Sequence, residues 1–411
     1  MTQPQSGCLR TARPEDLPAI VDLACTAFGE KLRERFRQGL YADSSYRPEQ
    51  SWVAEVDGRI VSHVRVRDRP IRYGSAVLRM GGIGTVATLP AYRGRGLATA
   101  LLTDAIDSMR AQGLHLSMLF TGRFTFYARL GWAAFPLHCF QWPLPIDRLA
   151  VDPTSYRVRT FDSNRDLAGV EAVYDEYNHR RTGTHVRSSQ FWREGIAQGR
   201  RLAPTLVADR EGVVVAYATF RSRGDAVQLD EAGCRAGAAS AFAPLARAIV
   251  EEGVAAGAQR IEGHLPRSHG LLAALARLSS VPIEGRLRGG VMLRVVDLHG
   301  LFQAALPALS ERLSRHEWLS SRQASFGFRV RGDYVRLSLD RGDLALDAEP
   351  AERVLDLGTS LFFRLFFGES PLALLAEDLT VGGLDPGGDE LALLGALFPP
   401  QDPFYWAADD F

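Results

Sequence analysis

The chain has 411 residues, of which 46% are hydrophobic, so the sequence predicts two or three domains that can each bury a core. The 48 basic and 48 acidic residues cancel, which excludes the overall positive field of a dedicated nucleic-acid-binding protein. The segment Met1–Gln5 lacks the apolar run of a secretion signal, and charged residues interrupt the apolar stretch 361–375. The four cysteines are far apart and lack metal-ligand spacing. We therefore expect a cytoplasmic protein with reduced thiols, no metal site, and neither a membrane nor a nucleic-acid partner.

Residues 1–150 are predicted to form a first domain of the α/β type with a net charge of +6, which suits an anionic ligand. Two helical segments open it, and the Asp57-Gly58 pair between two strand-like segments predicts a type I′ hairpin. A glycine-containing strand follows and ends at Pro90, and its glycines Gly81, Gly82 and Gly84 predict a bulge or a close backbone approach. The next helix carries an apolar stripe from Leu97 to Met109.

The turn between this strand and this helix predicts an anion-binding loop. It reads Arg93, Gly94, Arg95, Gly96, Leu97, Ala98 and Thr99. Free amides at the start of a helix, aided by the helix dipole, bind phosphate groups, and glycines let a ligand approach the backbone. As a spacing alone this motif is weak, because arginine–glycine loops are common in an arginine-rich chain. The nucleotide-binding signatures of P-loop enzymes and of dinucleotide-binding dehydrogenases are absent from the sequence, so those two classes are disfavoured.

The rest of the chain is predicted to form two further domains. Residues 151–287 repeat the order of elements seen in the first domain, but the segment Gly233–Ala238 lacks the loop spacing, so no cofactor is expected there. Residues 288–411 carry a net charge of −8, which suits a cationic substrate or simple solubility. They contain a predicted helix over Leu298–Leu313, three strands and a further helix over Ala351–Phe367.

The spacing Arg-x-x-Gly-x-Ala over Arg93–Ala98 resembles the acyl-CoA signature of GNAT N-acetyltransferases. With the segment Tyr127-Ala128-Arg129-Leu130-Gly131-Trp132 and the three-part layout, the whole chain resembles the Eis (enhanced intracellular survival) family. The resemblance implies an α/β (α+β) fold of two tandem GNAT-like mixed-sheet domains, the second without a cofactor site. A third domain like the sterol carrier proteins is then expected to follow, with a C-terminal tail that reaches the active site. The third domain is matched by its order of elements and by no tight motif.

The resemblance also implies the residues of the site. The amides of Gly94 to Thr99 would hold the pyrophosphate of acetyl-CoA, with Arg93 and Arg95 adding charge-assisted contacts. The amides of Val86, Ala87 and Thr88 would bind the pantetheine arm, although ordinary strand pairing explains the same segment. Tyr127 would act as general acid, although it also fits a merely packed aromatic cluster. The terminal carboxylate of Phe411 would help to deprotonate or attract the amine, although chain ends commonly fray.

The expected reaction is direct transfer of acetyl to a primary amine in a ternary complex, with acceptors such as aminoglycosides or lysine side chains. Phe28, Trp52 and Phe120 are candidates for lining the amine pocket, and core packing explains them equally well. The resemblance implies a homohexamer. A protein from another class, a non-catalytic carrier that binds CoA and an apolar ligand, remains the alternative; the apolar run Leu361–Phe367 motivates it.

Overall fold

The structure is a computed structural model that describes residues 8–144, 155–199, 204–278, 281–375 and 389–411. The strands are β1 (Cys8–Thr11), β2 (Ser51–Val56), β3 (Arg59–Asp68), β4 (Ile71–Tyr73), β5 (Ala76–Leu78), β6 (Met80–Thr88), β7 (Leu116–Phe120), β8 (Ala133–Ala134), β9 (Leu137–Pro143), β10 (Arg157–Thr160), β11 (Thr182–His185), β12 (Thr205–Arg210), β13 (Val213–Arg223), β14 (Ala226–Cys234), β15 (Arg260–Gly263), β16 (Glu284–Arg288), β17 (Val291–Val295), β18 (Gln323–Val330), β19 (Asp333–Asp340), β20 (Asp343–Asp347) and β21 (Val354–Asp356). The α-helices are α1 (Leu17–Phe28), α2 (Arg33–Tyr41), α3 (Leu97–Ala111), α4 (Phe124–Ala128), α5 (Ser163–Asn178), α6 (Ser189–Ala197), α7 (Phe242–Ala255), α8 (Gly270–Ala276), α9 (Leu298–Leu313), α10 (Thr359–Phe366) and α11 (Asp389–Leu397).

The first sheet has the order β1-β2-β3-β6-β7-β17-β8, in which β6 and β7 run parallel and the other neighbours are antiparallel. The predicted hairpin between β2 and β3 is confirmed, since Asp57 and Gly58 have φ of 51° and 74°. Helix α3 connects β6 to β7 and buries its predicted apolar stripe from Leu101 onwards, while Leu97 and Ala98 are partly exposed. The buried members of that stripe are Leu101, Leu102, Ala105, Ile106 and Met109.

The second sheet has the order β10-β12-β13-β14-β15-β9-β16, so the mixed α/β class with tandem mixed sheets is confirmed. The two large sheets exchange strands across the predicted domain limits. Strand β9 precedes residue 150 and pairs with β15 in the second sheet, whereas β17 follows residue 287 and pairs with β7 in the first. The limits at 150 and 287 stay predictions for the domains, but the hydrogen-bonded sheets do not divide there.

The last part of the chain contributes a four-stranded sheet of order β20-β19-β18-β21. Helix α9 is confirmed with the predicted bounds. The predicted helix over Ala351–Phe367 is wrong in its first half, because Val354–Asp356 forms a strand parallel to β18. Helix α10 begins only after Gly358, the residue that caps its N-terminus in an extended conformation.

Three hydrophobic clusters form the cores. One lies under the first sheet, one under the second, and one joins the four-stranded sheet with α9 and α10 to the edge of the first sheet. Within the ranges described above, no helix combines the length and apolarity needed to cross a membrane.

Candidate active site

The first sheet opens into a cleft between β6 and β7. The parallel pairing of these strands runs from Met80 to Ile83 and then ends. Strand β6 bulges directly afterwards: Arg65 of β3 faces Gly84 and His63 faces Ala87, which leaves Thr85 and Val86 opposite a single residue. Thr85 accordingly has a positive φ of 53°. The predicted bulge is confirmed, and its consequence is that β6 runs on without β7 beyond Ile83.

His63 holds this bulge. Its Nδ1 lies 3.1 Å from the carbonyl oxygen of Thr85, and because a carbonyl only accepts, the ring nitrogen must carry the hydrogen. Burial lowers the pKa of His63 to about 3, so the ring is neutral at physiological pH. His63 is therefore a structural group of the cleft wall.

The predicted anion-binding loop has the required backbone geometry. Gly94 and Gly96 have φ of 77° and 78°, the left-handed region that favours glycine, and open space surrounds the position of a Cβ at both. Gly96 precedes α3, and the amide of Ala100 donates to its carbonyl oxygen at 3.0 Å. The three preceding amides, over residues 97–99, are the N-terminal amides that a helix cannot pair internally. They form an anion site backed by the helix dipole.

Two arginines stiffen this loop. The Nε of Arg93 donates to the carbonyl oxygen of Thr88 at 3.2 Å, and Arg95 donates to that of Ala91 at 3.1 Å. Arg95 also stacks its guanidinium over the ring of Tyr92. Each of these bonds uses one of five N–H donors of a guanidinium. Both side chains can therefore shape the loop and still bind an anion.

Tyr127 lies on the short helix α4, which follows β7 across the cleft. Its ring meets those of Phe126 and Trp132 edge-on, with centroid distances of 4.9 and 6.0 Å, and is only 9% exposed. Burial raises the pKa of Tyr127 to about 12, against the opposing charge of Arg123. The phenol is thus protonated at neutral pH. Tyr127 therefore packs in the aromatic cluster and also lines the cavity.

The C-terminal tail, residues 404–411, leads into the same cavity, and residues 407–411 line its wall. Phe404, Tyr405 and Trp406 are buried, the amide of Phe404 donates to the carbonyl oxygen of Thr182, and the indole of Trp406 donates to Asn178. Asp409 is fixed by Arg187, which donates from Nε and Nη2 to its two carboxylate oxygens at 2.9 and 2.8 Å.

Arg187 is shared between the tail and the second sheet. Its Nη1 donates to Glu231 of β14 at 2.9 Å, and its guanidinium stacks over Tyr174 and Trp192. Although burial lowers it, the carboxylates of Asp409 and Glu231 raise the pKa of Arg187 well above its usual value. These groups join the tail to the second sheet through charge-assisted hydrogen bonds.

Phe411 lies against the cleft itself. Its ring packs edge-on to Phe120 with centroids 5.2 Å apart, and it also contacts Tyr405. A Cβ on Gly82 would lie 2.6 Å from the ring, so the absence of a side chain there makes room for Phe411. The carbonyl carbon of Phe411 lies 3.6 Å from the position of a Cβ on Gly84, at the point where β6 and β7 separate.

A single cavity of about 1660 Å³ brings most of the predicted residues together. The predicted residues on its wall are Phe28, Val86, Ala87, Thr88, Arg93, Gly94, Arg95, Gly96, Leu97, Ala98, Thr99, Phe120, Tyr127 and Phe411. Phe28 is half exposed and packs against Phe36. Trp52 does not line the cavity, contrary to its predicted place in the amine pocket. Its side chain is 5% exposed within the hydrophobic cluster under the first sheet, because β2 turns that position towards the core.

Sequence reasoning missed a group of charged residues on the cavity wall. The wall carries Arg65 and Arg67 of β3, Arg69 directly after β3, Arg187 between β11 and α6, and Glu231 of β14. The alternation Arg65-Val66-Arg67-Asp68-Arg69 was a visible signal, because every second residue of a strand shares a face. Arg187 carried no local signal, since its partner Asp409 is 222 residues away.

Residues 9–135 match the family model of the acetyltransferase (GNAT) domain. This match contains β6, the loop, α3 and Tyr127, so the sequence similarity covers the cleft described above. An uncharacterized N-acetyltransferase of Streptomyces avermitilis is 29% identical over 164 residues. That alignment spans 37% of this chain, and the chain covers only 39% of the relative's length.

The fold is shared over the whole chain with solved structures of low sequence identity. A conserved protein of unknown function from Enterococcus faecalis V583, described as a probable N-acyltransferase, superposes with a TM-score of 0.75 at 17% identity, covering 99% of this chain and 100% of that one. Eis1 from Mycobacterium abscessus superposes with a TM-score of 0.63 at 17% identity over the same shares. At these identities the likeness shows the fold, including the tandem arrangement of the sheets.

Proposed function

We propose that the protein is an N-acetyltransferase that uses acetyl-CoA and acetylates a primary amine by direct transfer in a ternary complex. The observation that carries the proposal is the single cavity that joins the loop of left-handed glycines, the separated end of β6 and the phenol of Tyr127. The match of residues 9–135 to the GNAT domain supports it.

The loop and β6 fit the two ends of acetyl-CoA. The amides over residues 97–99, the helix dipole and the two loop arginines are suited to a diphosphate. The backbone of Val86, Ala87 and Thr88 lies beyond the end of the pairing with β7, so it is suited to hydrogen bonds with an extended amide chain. When bound, acetyl-CoA supplies an activated thioester carbonyl.

Tyr127 is suited to proton donation. Amine attack forms the new C–N bond and breaks the C–S bond, so the leaving sulfur needs a proton. The protonated phenol of Tyr127 can supply it and recover it from solvent. Transfer needs a neutral amine, and the proton that the acceptor loses goes to water. The carboxylate of Phe411 is proposed to attract the amine; an ordinary α-carboxyl is too weak a base to deprotonate an ammonium group alone.

Several finer assignments belong to the same proposal. The shared fold with Eis1 supports membership of the Eis family, with a third domain of the sterol-carrier type. Aminoglycosides and lysine side chains are the acceptors that membership suggests, together with a homohexameric assembly in the cytoplasm.

No observation on the residues that the structure describes favours the carrier alternative. The apolar run that motivated it is packed into the core around α9. Its buried members are Phe362, Phe363, Leu365, Phe366 and Phe367. A packed core therefore explains these residues without an apolar ligand.

Thiol release tests the proposal. The protein with acetyl-CoA and a panel of primary amines should release CoA only when an amine is present, and mass spectrometry should find one added acetyl group per CoA released. CoA binding without amine-dependent release from any member of the panel would support the carrier instead.

A further inference from the structure

Three arginines form one charged stripe along the floor of the cavity. Arg65 and Arg67 lie on β3 and Arg69 follows it, and all three line the cavity at alternate positions. Arg65 is 1% and Arg69 is 8% exposed, so two of the three charges are removed from bulk water. Burying a charge is costly unless partners compensate it, so the hydrogen-bond partners of these arginines show how much of their charge is left for a ligand.

Within the described ranges of the chain, the partners of Arg65 and Arg69 satisfy only part of their hydrogen-bonding capacity. Arg65 donates to Asp43 at 2.9 Å and to the carbonyl oxygen of Gly39, and it stacks over Tyr46. Arg69 donates to the carbonyl oxygen of Asp68 at 3.2 Å and lies over a phenylalanine ring. Among the described residues, the buried Nε of Arg65 and that of Arg69 have no hydrogen-bond partner.

The charges of all three arginines act on the carboxylate of Asp43. Burial acts to raise its pKa, but Arg65, a hydrogen bond from Ser45, and then Arg69 and Arg67 together hold that pKa below its usual value. One carboxylate thus interacts with three guanidinium groups. The Nε donors of Arg65 and Arg69 that are open among the described residues lie beside Arg67 on the cavity wall, and guanidinium donors bind carboxylates and phosphates.

The stripe lies beside the proposed reaction centre and away from the loop. Arg65 pairs across the sheet with Gly84 and Arg67 pairs with Gly82, the two glycines that Phe411 contacts. Four residues of strand separate Gly84 from Thr88, at most about 13 Å at 3.3 Å per residue, and the loop begins beyond that. Arg65 and Arg67 therefore adjoin the first half of β6, whereas the loop follows its last residue.

We propose that the acceptor is an amine that also carries an anionic group, a carboxylate or a phosphate, and that Arg65, Arg67 and Arg69 bind this group. The proposal rests on the proposed acetyltransferase function and narrows its substrate class. It departs from the aminoglycoside acceptors that Eis membership suggests, because a polycationic aminoglycoside has no anionic group for the stripe to bind. An amine within one short carbon chain or one sugar ring of its anion is the best fit, because the stripe adjoins the separated strands directly.

Matched acceptor pairs test this substrate class. Glucosamine and glucosamine 6-phosphate differ by one phosphate, and 4-aminobutanamide and 4-aminobutyrate differ by one carboxylate. In at least one pair, we expect kcat/KM for CoA release to be about tenfold or more higher for the compound with the anionic group than for the compound without it. The two pairs also decide between phosphate and carboxylate.

Variants then locate the preference. Arg67→Gln should reduce the ratio of the two kcat/KM values, with and without the anionic group, by about tenfold while the KM for acetyl-CoA stays unchanged. Arg67→Lys should retain part of this preference. Arg37→Gln is the matched control, because Arg37 is an exposed residue of α2 paired with Glu34 and is not on the cavity wall.

Calorimetry measures binding of the acceptor without turnover, so it tests the stripe independently of acetyl transfer. With CoA present in excess to fill the loop, glucosamine 6-phosphate or 4-aminobutyrate should bind the wild-type protein and bind the Arg67→Gln variant about tenfold more weakly. Amine-dependent CoA release with ratios near one, or a preference for a polycationic aminoglycoside, would overturn the anionic-acceptor proposal and leave the acetyltransferase standing. Binding that depends on Arg67 without any CoA release would show an anion site at the stripe and would overturn the acetyltransferase proposal.

Discussion

Arg187 and Asp409 form a bidentate ion pair, with N···O distances of 2.9 and 2.8 Å and both side chains inaccessible to solvent. Asp409 stands two residues before Phe411, whose ring lies on Gly82 in the cleft. Because Arg187 also donates to Glu231 of β14, the pair ties the last turn of the tail to the second sheet and holds Phe411 against the first. Arg187 and Asp409 are positioning residues, since they act on the site through the tail.

Loss of this pair should loosen the tail. Asp409→Asn keeps the shape but removes the charge, so we expect a loss of about 3 kcal/mol in the free energy of unfolding. Faster proteolytic removal of the tail and about a tenfold fall in kcat/KM should accompany it. Glu251→Gln removes one partner of an exposed pair on α7 and should cost about 0.5 kcal/mol or less. Equal tail protection in both variants would show that the pair does not anchor the tail.

Removal of the Tyr127 hydroxyl should affect turnover more than binding. Tyr127→Phe keeps the packing against Phe126 and Trp132, so we expect kcat to fall about 10²-fold with little change in the dissociation constant for acetyl-CoA. Tyr41→Phe, at an exposed position on α2, should change neither quantity. An unaltered kcat in Tyr127→Phe would assign that residue to packing alone.

A side chain at Gly96 should weaken binding of acetyl-CoA. Gly96→Ala places a Cβ on a residue with φ of 78°, which costs about 1–2 kcal/mol and distorts the turn before α3. We expect the KM for acetyl-CoA to rise about tenfold. Gly257→Ala imposes the same strain at φ of 74°, also in open space, far along the chain from the loop. It should lower stability similarly and leave that KM alone; a rise in both variants would refute a specific role for the loop.

Stability should fall in mild acid because three histidines are buried. Burial lowers the pKa of His63 and His269 to about 3 and that of His185 to about 4, the last opposed by Asp409. These groups take up protons on unfolding near their ordinary pKa of 6.5. Their contribution is complete above about pH 6.5 and is lost as pH falls, by about 1.4 kcal/mol per pH unit for each histidine. Urea unfolding between pH 7.5 and 4.5 measures this, and a free energy that stays level would contradict the burial of these rings.

Local patterns predicted the elements that form the loop. The role of Gly94 and Gly96 was predictable without knowledge of distant contacts, because the seven residues of the loop already show glycines before an amphipathic helix, and both glycines have a positive φ. The Asp57-Gly58 hairpin and the bounds of α9 were predictable for the same reason. Trp52 was misjudged because a strand pattern gives two faces without saying which one meets the cleft.

Long-range pairing escaped prediction. Strand β9 joins the second sheet and β17 returns to the first, and no local signal distinguishes these partners from nearer ones. Strand β21 was taken into a helix because its three residues owe their conformation to β18, not to their own propensity. The same reason hid the contact between Arg187 and Asp409.

A crystal structure of the protein with bound CoA tests the central claim most directly. We predict diphosphate oxygens within hydrogen-bond distance of the backbone amides over residues 97–99, and the sulfur in the cleft between Thr88 and Tyr127. CoA bound elsewhere, with those amides bonded to solvent alone, would contradict the claim.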